Sequence, residues 1–304
     1  MKNSKYILLL LPVAMVVIAS GCVGGGSGPT TGPGVAILNF EPDFSSVESG
    51  DEIRLYLQIQ NQGEEQANNV KALLTGIDAV ELNVDSVLKD FDYMIPPNTD
   101  YGTEGEIQQH YYRLTAPVMS QGQEITYNPK IRVYYDYETN ANKQITLVNS
   151  NELRRLIQEG KSLPTGDTSY SAGPLSVNVA TGKYIKARTE GGYYFPITIT
   201  INNAGNGVVS KYQSNPTAEP IDYKVEMQLD LPGSGLSIDG CSADLAGVNT
   251  YGVELWKGSS ATITCRFNII NVPNTDEQKT LNIKLKYSYY IDSSASFTVK
   301  GFDF

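Results

Sequence analysis

The sequence predicts an all-β protein made of two tandem copies of one β-sandwich unit. An alternating segment occurs twice, as residues 131–137 (IRVYYDY) and 283–289 (IKLKYSY), and this period of two is typical of a strand with one buried face. A second ungapped match joins residues 35–63 to residues 177–205. Only 18% of residues are charged, Tyr alone counts 20, and turn residues separate the short alternating segments. The 304 residues leave room for two domains that each bury a core.

Each repeat is expected to open with a short strand and a turn at Gly50 or Gly192. An alternating strand then ends in Asn-x-Gly, at residues 61–63 and 203–205. About seven strands per repeat, separated by turn signals, fit an immunoglobulin-like sandwich. Repeats of this length indicate tandem domains and not solenoid units. The predicted domains are therefore residues 35–149 and residues 173–304.

The N-terminus is predicted to be a signal peptide over residues 1–21. Lys2 and Lys5 precede an apolar run that is too short to span a bilayer comfortably. The run ends in IASGC at residues 18–22, which resembles the lipobox of prokaryotic lipoproteins, although Ala19 stands where the family usually has Leu, Val or Ile. The resemblance implies that Cys22 carries a lipid after cleavage, and an uncleaved N-terminal anchor is the alternative. Both alternatives predict a location at the extracellular face of the cell membrane.

Residues 22–34 are predicted to hold the lipidated Cys and a flexible tether, because they are rich in Gly, Ser, Thr and Pro and contain nothing to build a core.

The strand that ends at the first Asn-x-Gly carries a family resemblance. Residues 57–70 (LQIQNQGEEQANNV) resemble the V-x-N-x-G-x-x-x-A-x-x-V core of CARDB-like repeats. Such repeats occur in S-layer-associated and other surface proteins, particularly archaeal ones. Residues 199–208 follow the pattern less well after Gly205. The resemblance implies an immunoglobulin-like fold at the cell surface and no particular activity.

Residues 150–172 predict a short helix and a linker between the repeats. Ser150 is a candidate cap and Gly160 a candidate end for the helix. Its apolar side chains are expected on one face that packs against a sandwich, with a partner site as the alternative. Those side chains are Leu153, Leu156 and Ile157.

The cysteines predict one disulfide. With Cys22 assigned to the lipid, Cys241 and Cys265 remain as a pair in an exported domain. Alternation with Ile263 and Phe267 places Cys265 on an inward face. A metal site would need more ligands than these cysteines and the one histidine provide, so no metal or cofactor is predicted.

Catalysis has no support in the sequence. The single histidine, His110, has no nucleophile-elbow motif beside it, and no glycine loop is spaced to hold phosphate. The acidic stretch 85–106 could attract calcium, but it has no Asp-x-Asp-x-Asp-Gly loop and is expected to be a solvated insertion. The protein is therefore predicted not to be an enzyme.

The aromatic residues give the candidate partner-binding positions. Tyr135, Tyr137, Tyr287 and Tyr289 fall on the inward register of their strands, whereas Tyr134 and Tyr290 fall on the outward register. Trp256 lies in a stretch with less regular patterning. Trp256, Tyr134 and Tyr290 are the candidate contact residues, and ordinary packing within the sheets is the alternative.

The predicted function is a non-catalytic structural, adhesive or protein-binding role among envelope proteins. The alternative is a carbohydrate-binding module that holds surface glycans on exposed aromatic side chains. A formal net charge of −10 excludes nucleic acid as a partner, because both molecules are anionic. Partner contacts are expected where the repeats differ, namely at 85–106, at 216–220 and around Cys241 and Trp256.

Overall fold

The computed structural model describes residues 32, 34–163, 166–182, 184–187, 193–213, 222–233 and 235–301. Over these residues the chain is all-β with one short helix, which confirms the all-β part of the prediction. The predicted signal peptide 1–21, Cys22, most of the tether, Gly192 and residues 216–220 lie outside the described residues. No helix within the described ranges has the length and apolar character needed to cross a membrane.

The first repeat contributes eight strands: β1 (Val35–Pro42), β2 (Ser46–Glu48), β3 (Glu52–Asn61), β4 (Ala67–Thr75), β5 (Leu88–Met94), β6 (Ile107–Thr115), β7 (Glu124–Tyr127) and β8 (Lys130–Asn149). The connecting segment contains helix α1 (Ser150–Gln158) and strand β9 (Thr168–Tyr170). The second repeat contributes β10 (Leu175–Ala180), β11 (Ile185–Ala187), β12 (Tyr193–Asn203), β13 (Val208–Ser210), β14 (Lys224–Asp230), β15 (Leu236–Cys241), β16 (Asp244–Gly247), β17 (Thr250–Glu254), β18 (Ser260–Ile269), β19 (Asp276–Ser294) and β20 (Phe297–Lys300).

The two copies of the Tyr-rich segment pair with each other. They lie in β8 and β19, which run antiparallel with Asp136 opposite Ser288. These two residues hold the same position in the two copies, so they mark an approximate twofold axis that exchanges the repeats. The pairing makes β8 and β19 the centre of one ten-stranded sheet, whose main path runs β16-β17-β14-β19-β8-β4-β5.

Two smaller sheets share a core with this large sheet. The first has the order β1-β3-β6 and the second has the order β10-β12-β18-β15. The Tyr112 hydroxyl of β6 donates to the carbonyl oxygen of Ala72 in β4, 3.0 Å away, and so joins the first small sheet to the large one. The buried apolar side chains of both repeats form one continuous cluster. The inward tyrosines predicted from the sequence lie in it, each at most 1% exposed: Tyr135, Tyr137, Tyr287 and Tyr289.

The last strand of each repeat pairs with the other repeat. Strand β20 lies between β2, to which it is parallel, and β7, to which it is antiparallel. The corresponding segment of the first repeat, residues 145–148 of β8, lies between β11 and the beginning of β19. Backbone pairing therefore crosses the predicted limits at residues 149 and 173, and the division into two domains stays a prediction.

Helix α1 begins one residue earlier than predicted. Asn149 is the N-cap, and its side chain accepts a hydrogen bond from the backbone N–H of Asn151. The predicted cap, Ser150, is wrong, because its hydroxyl instead donates to the carbonyl oxygen of Ala187.

The apolar face of α1 is narrower than predicted. Leu153 and Leu156 are buried, whereas Ile157 is 65% exposed. Successive residues lie about 100° apart around a helix, so Ile157 falls at the edge of a face centred between Leu153 and Leu156.

Candidate binding surfaces

The Asn-x-Gly motif of the first repeat has a structural role. The buried side chain of Asn61 donates from Nδ2 to the carbonyl oxygens of Glu65 and Met94, at 2.9 and 3.0 Å. Its Oδ1 accepts from the N–H of Gly63. The Tyr137 hydroxyl accepts from the N–H of Glu65 at 3.1 Å and so ties this turn to the large sheet.

The second repeat makes equivalent bonds. Asn203 Nδ2 donates to the carbonyl oxygens of Gly207 and Gly258, at 3.0 and 3.1 Å. The Tyr289 hydroxyl accepts from the N–H of Gly207 and donates to Asn203 Oδ1. The motif and the Tyr-rich strand therefore form one polar network in each repeat. This network stabilises the turn that begins at the motif.

Each network also holds a hairpin with an exposed aromatic side chain. The Asn61 N–H donates to the carbonyl oxygen of Glu106, and the Asn203 N–H donates to that of Ser259. The first hairpin, 95–106, is closed by a bridge between Asn98 and Thr103 and carries Tyr101, which is 82% exposed. It lies on the connection from β5 in the large sheet to β6 in the first small sheet. The second, 255–259, is bridged from Trp256 to Ser260 on the connection from β17 in the large sheet to β18 in the second small sheet, and Trp256 is 75% exposed. The two repeats thus present aromatic residues on equivalent connections.

Trp256 borders an open cleft between the large sheet and β18. The Lys257 ammonium lies 5.8 Å from the centre of the Trp256 ring. Hydroxyl and carboxyl side chains line part of the cleft, and apolar side chains such as Val253 and Ile263 line the remainder. This predicted contact residue is therefore exposed beside a cleft of mixed polarity.

The predicted disulfide between Cys241 and Cys265 is present. The two cysteines are cross-strand neighbours in β15 and β18, and Cys265 is fully buried as its alternation predicted. The disulfide links β15, the edge strand of the second small sheet, to its neighbour β18. The first small sheet has no corresponding strand among its three.

The acidic stretch 85–106 is only partly the solvated insertion that was expected. Residues 88–94 form strand β5, which pairs with β4 at an edge of the large sheet. Asp90 forms an ion pair with Lys71 of β4, with Oδ2 and Nζ 3.6 Å apart. Within the described part of the chain, no three His, Cys, Asp or Glu side chains are grouped to hold a metal ion.

Tyr134 and Tyr290 lie opposite each other on the outward register of β8 and β19, as predicted. Tyr290 is only 7% exposed, however, and the Arg132 guanidinium lies 4.1 Å from the centre of its ring. Arg132 also makes two hydrogen bonds to Asp292, at 2.8 and 2.9 Å. Because these groups cover the ring, Tyr290 cannot serve as an exposed contact platform. Tyr134 is half-buried, and burial raises the pKa of its hydroxyl.

His110 lies half-buried on the inward side of β6. Its ring packs edge-on against that of Tyr112, with centres 4.7 Å apart, and burial together with the charge of Lys89 lowers its pKa. A cleft along β6 does bring His110 near Asp85 and Ser86. The Ser86 hydroxyl donates to the carbonyl oxygen of Leu88 instead, so these residues form no nucleophile–base pair.

Tyr101 was not predicted from the sequence as a contact residue. The sequence does contain a pattern that indicates an exposed Tyr101: in residues 98–102 (NTDYG), turn-forming residues surround one aromatic side chain.

No family model and no curated protein matches the chain. Solved structures that match include the collagen adhesin from S. aureus, at 9% identity and a TM-score of 0.13, with 91% of this chain and 97% of that chain covered. They also include a tip adhesin from Pseudomonas aeruginosa, at 8% identity and a TM-score of 0.15, with 90% and 98% covered. At these scores neither match bears on the fold or function, and the CARDB-like resemblance stays a prediction.

Proposed function

We propose that this chain is an exported, membrane-anchored cell-surface lipoprotein with a non-catalytic, adhesive role towards other envelope proteins. The observation that supports the proposal is the pair of equivalent hairpins, each with an exposed aromatic residue, at Tyr101 and Trp256. The location at the extracellular face of the membrane, the S-layer association and the CARDB-like ancestry belong to the same proposal.

The hairpins suit a binding role because they combine exposure with a rigid base. Asparagine side chains, buried at Asn61 and partly buried at Asn203, bond to the base of each hairpin, and the ten-stranded sheet connects the two repeats. Tyr and Trp are enriched among the residues that dominate binding energy at protein interfaces. Loops carried by a rigid β-scaffold are common places for such residues.

The adhesive role is tested by binding to purified envelope material from the native host. The double variant Tyr101→Ala and Trp256→Ala should bind about tenfold more weakly or worse, since each truncation removes a large exposed contact. Val118→Ala is the control, because Val118 is an apolar residue outside the hairpins and is 83% exposed. Equal binding by the parent and the double variant would refute a role for the hairpins.

The anchor is tested separately at Cys22. Replacing the thiol by a hydroxyl in Cys22→Ser removes the atom that accepts the lipid. The precursor should then remain uncleaved, or the protein should be released into the medium. Membrane-bound protein with the parent's mature mass would show that the lipid is not the anchor.

A further inference from the structure

We propose that the outer face of the sheet β1-β3-β6 binds a neutral, hydroxyl-rich glycan chain. On this face, three residues of β3 lie directly opposite three residues of β6, and each pair is of one chemical kind. The pairs are Arg54 with Arg113, Tyr56 with Tyr111, and Gln58 with Gln109. The site shares no residue with the aromatic hairpins and does not depend on the adhesive role.

The tyrosine pair supplies a stacking surface. The rings of Tyr56 and Tyr111 have centres 4.9 Å apart and planes tilted by 34°. Tyr111 is 54% exposed, so part of its ring is open to a ligand. Tyrosine offers a large apolar surface with few rotatable bonds, so ordering it on a ligand costs little entropy. The C–H-rich face of a hexopyranose ring matches such a surface.

The flanking pairs supply hydrogen-bonding groups of the right kind. A glutamine amide both donates and accepts, and a guanidinium presents several donors in a fixed plane, so each can engage two neighbouring hydroxyls. Arg54 is held in place by Glu52, with Nε and Oε1 2.7 Å apart. Arg113 has no ion-pair partner among the described residues, and its guanidinium is exposed.

A cleft beside the edge strand β6 adjoins this face. It is lined by Asp85, Ser86 and residues 109–113 of β6. A chain stacked on Tyr111 would therefore lie next to further polar groups, which fix orientation in ligand sites.

The charges of the face favour an uncharged occupant. Glu52 forms an ion pair with Arg54, Asp85 lines the same cleft as Arg113, and the chain as a whole carries a formal charge of −10. An anionic polysaccharide would be repelled by the chain as a whole, whereas a neutral one would not.

The second repeat provides an internal comparison. Its equivalent strands β12 and β18 pair in the same way, with Thr198 opposite Thr264 and Thr200 opposite Thr262. The duplicated sheet thus forms without tyrosine or glutamine at these positions. Packing of the sheet does not require the aromatic and amide pairs of the first repeat.

The test is an array of neutral gluco-, galacto- and manno-oligosaccharides, with uronic-acid oligomers as a second arm, probed with the full chain in mild detergent. The parent should bind at least one neutral series. Tyr111→Ala should weaken that binding about tenfold, Tyr111→Phe should largely retain it, and Gln109→Ala should weaken it. Thr264→Ala, the matched change in the second repeat, should have no effect.

Circular dichroism should show that all variants fold, because Tyr111, Gln109 and Thr264 are exposed. Failure of the parent to bind any neutral series would overturn the proposal, as would binding to the uronic-acid oligomers alone. Neutral binding that survives Tyr111→Ala would overturn it too. Loss of envelope binding in the hairpin variant would leave this proposal unaffected.

Discussion

At the scale of single residues, the equivalent asparagines Asn61 and Asn203 show how one side-chain amide can organise a turn. Asn61 joins the end of β3 to the turn after it and to the end of β5. Asn203 joins the end of β12 to the turn after it and to the hairpin 255–259. Water cannot replace these bonds at Asn61, which is fully buried. The same motif that resembles a family signature thus has a direct physical function.

Asn61→Ala should destabilise the protein by about 2–3 kcal/mol, because it leaves buried carbonyl groups without donors. Chemical denaturation followed by circular dichroism measures the change. Asn206→Ala is the control, since Asn206 is exposed in the equivalent turn of the second repeat and should change stability by less than about 0.5 kcal/mol. Similar losses in both variants would contradict the role assigned to the buried amide.

At the scale of elements, the exchanged strand β20 joins the end of the chain to the first repeat. It is four residues long, and two of them, Phe297 and Val299, are almost fully buried. The Phe297 ring stacks on that of Tyr127 in β7, with centres 5.4 Å apart. The stability of β2 and β7 should therefore depend on residues far away in the sequence.

Phe297→Ala should cost about 3–5 kcal/mol, because it leaves a cavity between β2 and β7. Hydrogen exchange should show lost protection of the amides in β7, in the first repeat, although the substitution lies in the second. Lys300→Ala, at the exposed end of the same strand, should leave protection unchanged. Lost protection confined to the small sheet of the second repeat would show that β20 does not stabilise the first.

At the scale of the whole molecule, four tyrosines at the twofold axis join the two repeats. Tyr135 packs against Tyr289, and Tyr137 against Tyr287, with ring centres 5.9 and 6.2 Å apart. Burial raises the pKa of Tyr135 and Tyr287 well above the ordinary value, because the phenolate would lose its hydration. Burial also raises the pKa of Tyr289, to about 12.

These raised pKa values predict alkaline unfolding. In the unfolded chain a tyrosine ionises near pH 10, whereas the buried hydroxyls stay protonated above that pH. The folded state then binds more protons than the unfolded state, so stability is complete below about pH 10 and falls as the pH rises further. Tyrosinate absorbance should rise in two stages, the second together with loss of the β-sheet circular dichroism signal. Ionisation of all tyrosines in a protein that keeps its sheet signal would contradict this.

The sequence by itself determined the all-β class, the duplication, the inward tyrosines and the disulfide. Each of these follows from local periodicity or from the number of cysteines, and local periodicity is set by the geometry of a single strand. The register of Tyr134 and Tyr290 was predictable for the same reason. The exposure of these two side chains was not predictable from the sequence, because it depends on which other residues cover them. Arg132 covers Tyr290, and no pattern in the strand of Tyr290 indicates that contact.

Only the tertiary structure decided how the repeats combine. A strand's alternation shows which face is buried but not which strand lies beside it, since backbone hydrogen bonds are the same for every partner. The sequence was therefore equally consistent with two separate sandwiches and with the observed pairing of β8 with β19 and of β20 with β2 and β7. The juxtaposition of Tyr56 with Tyr111 has the same origin, because it depends on the register between two strands separated by half a repeat.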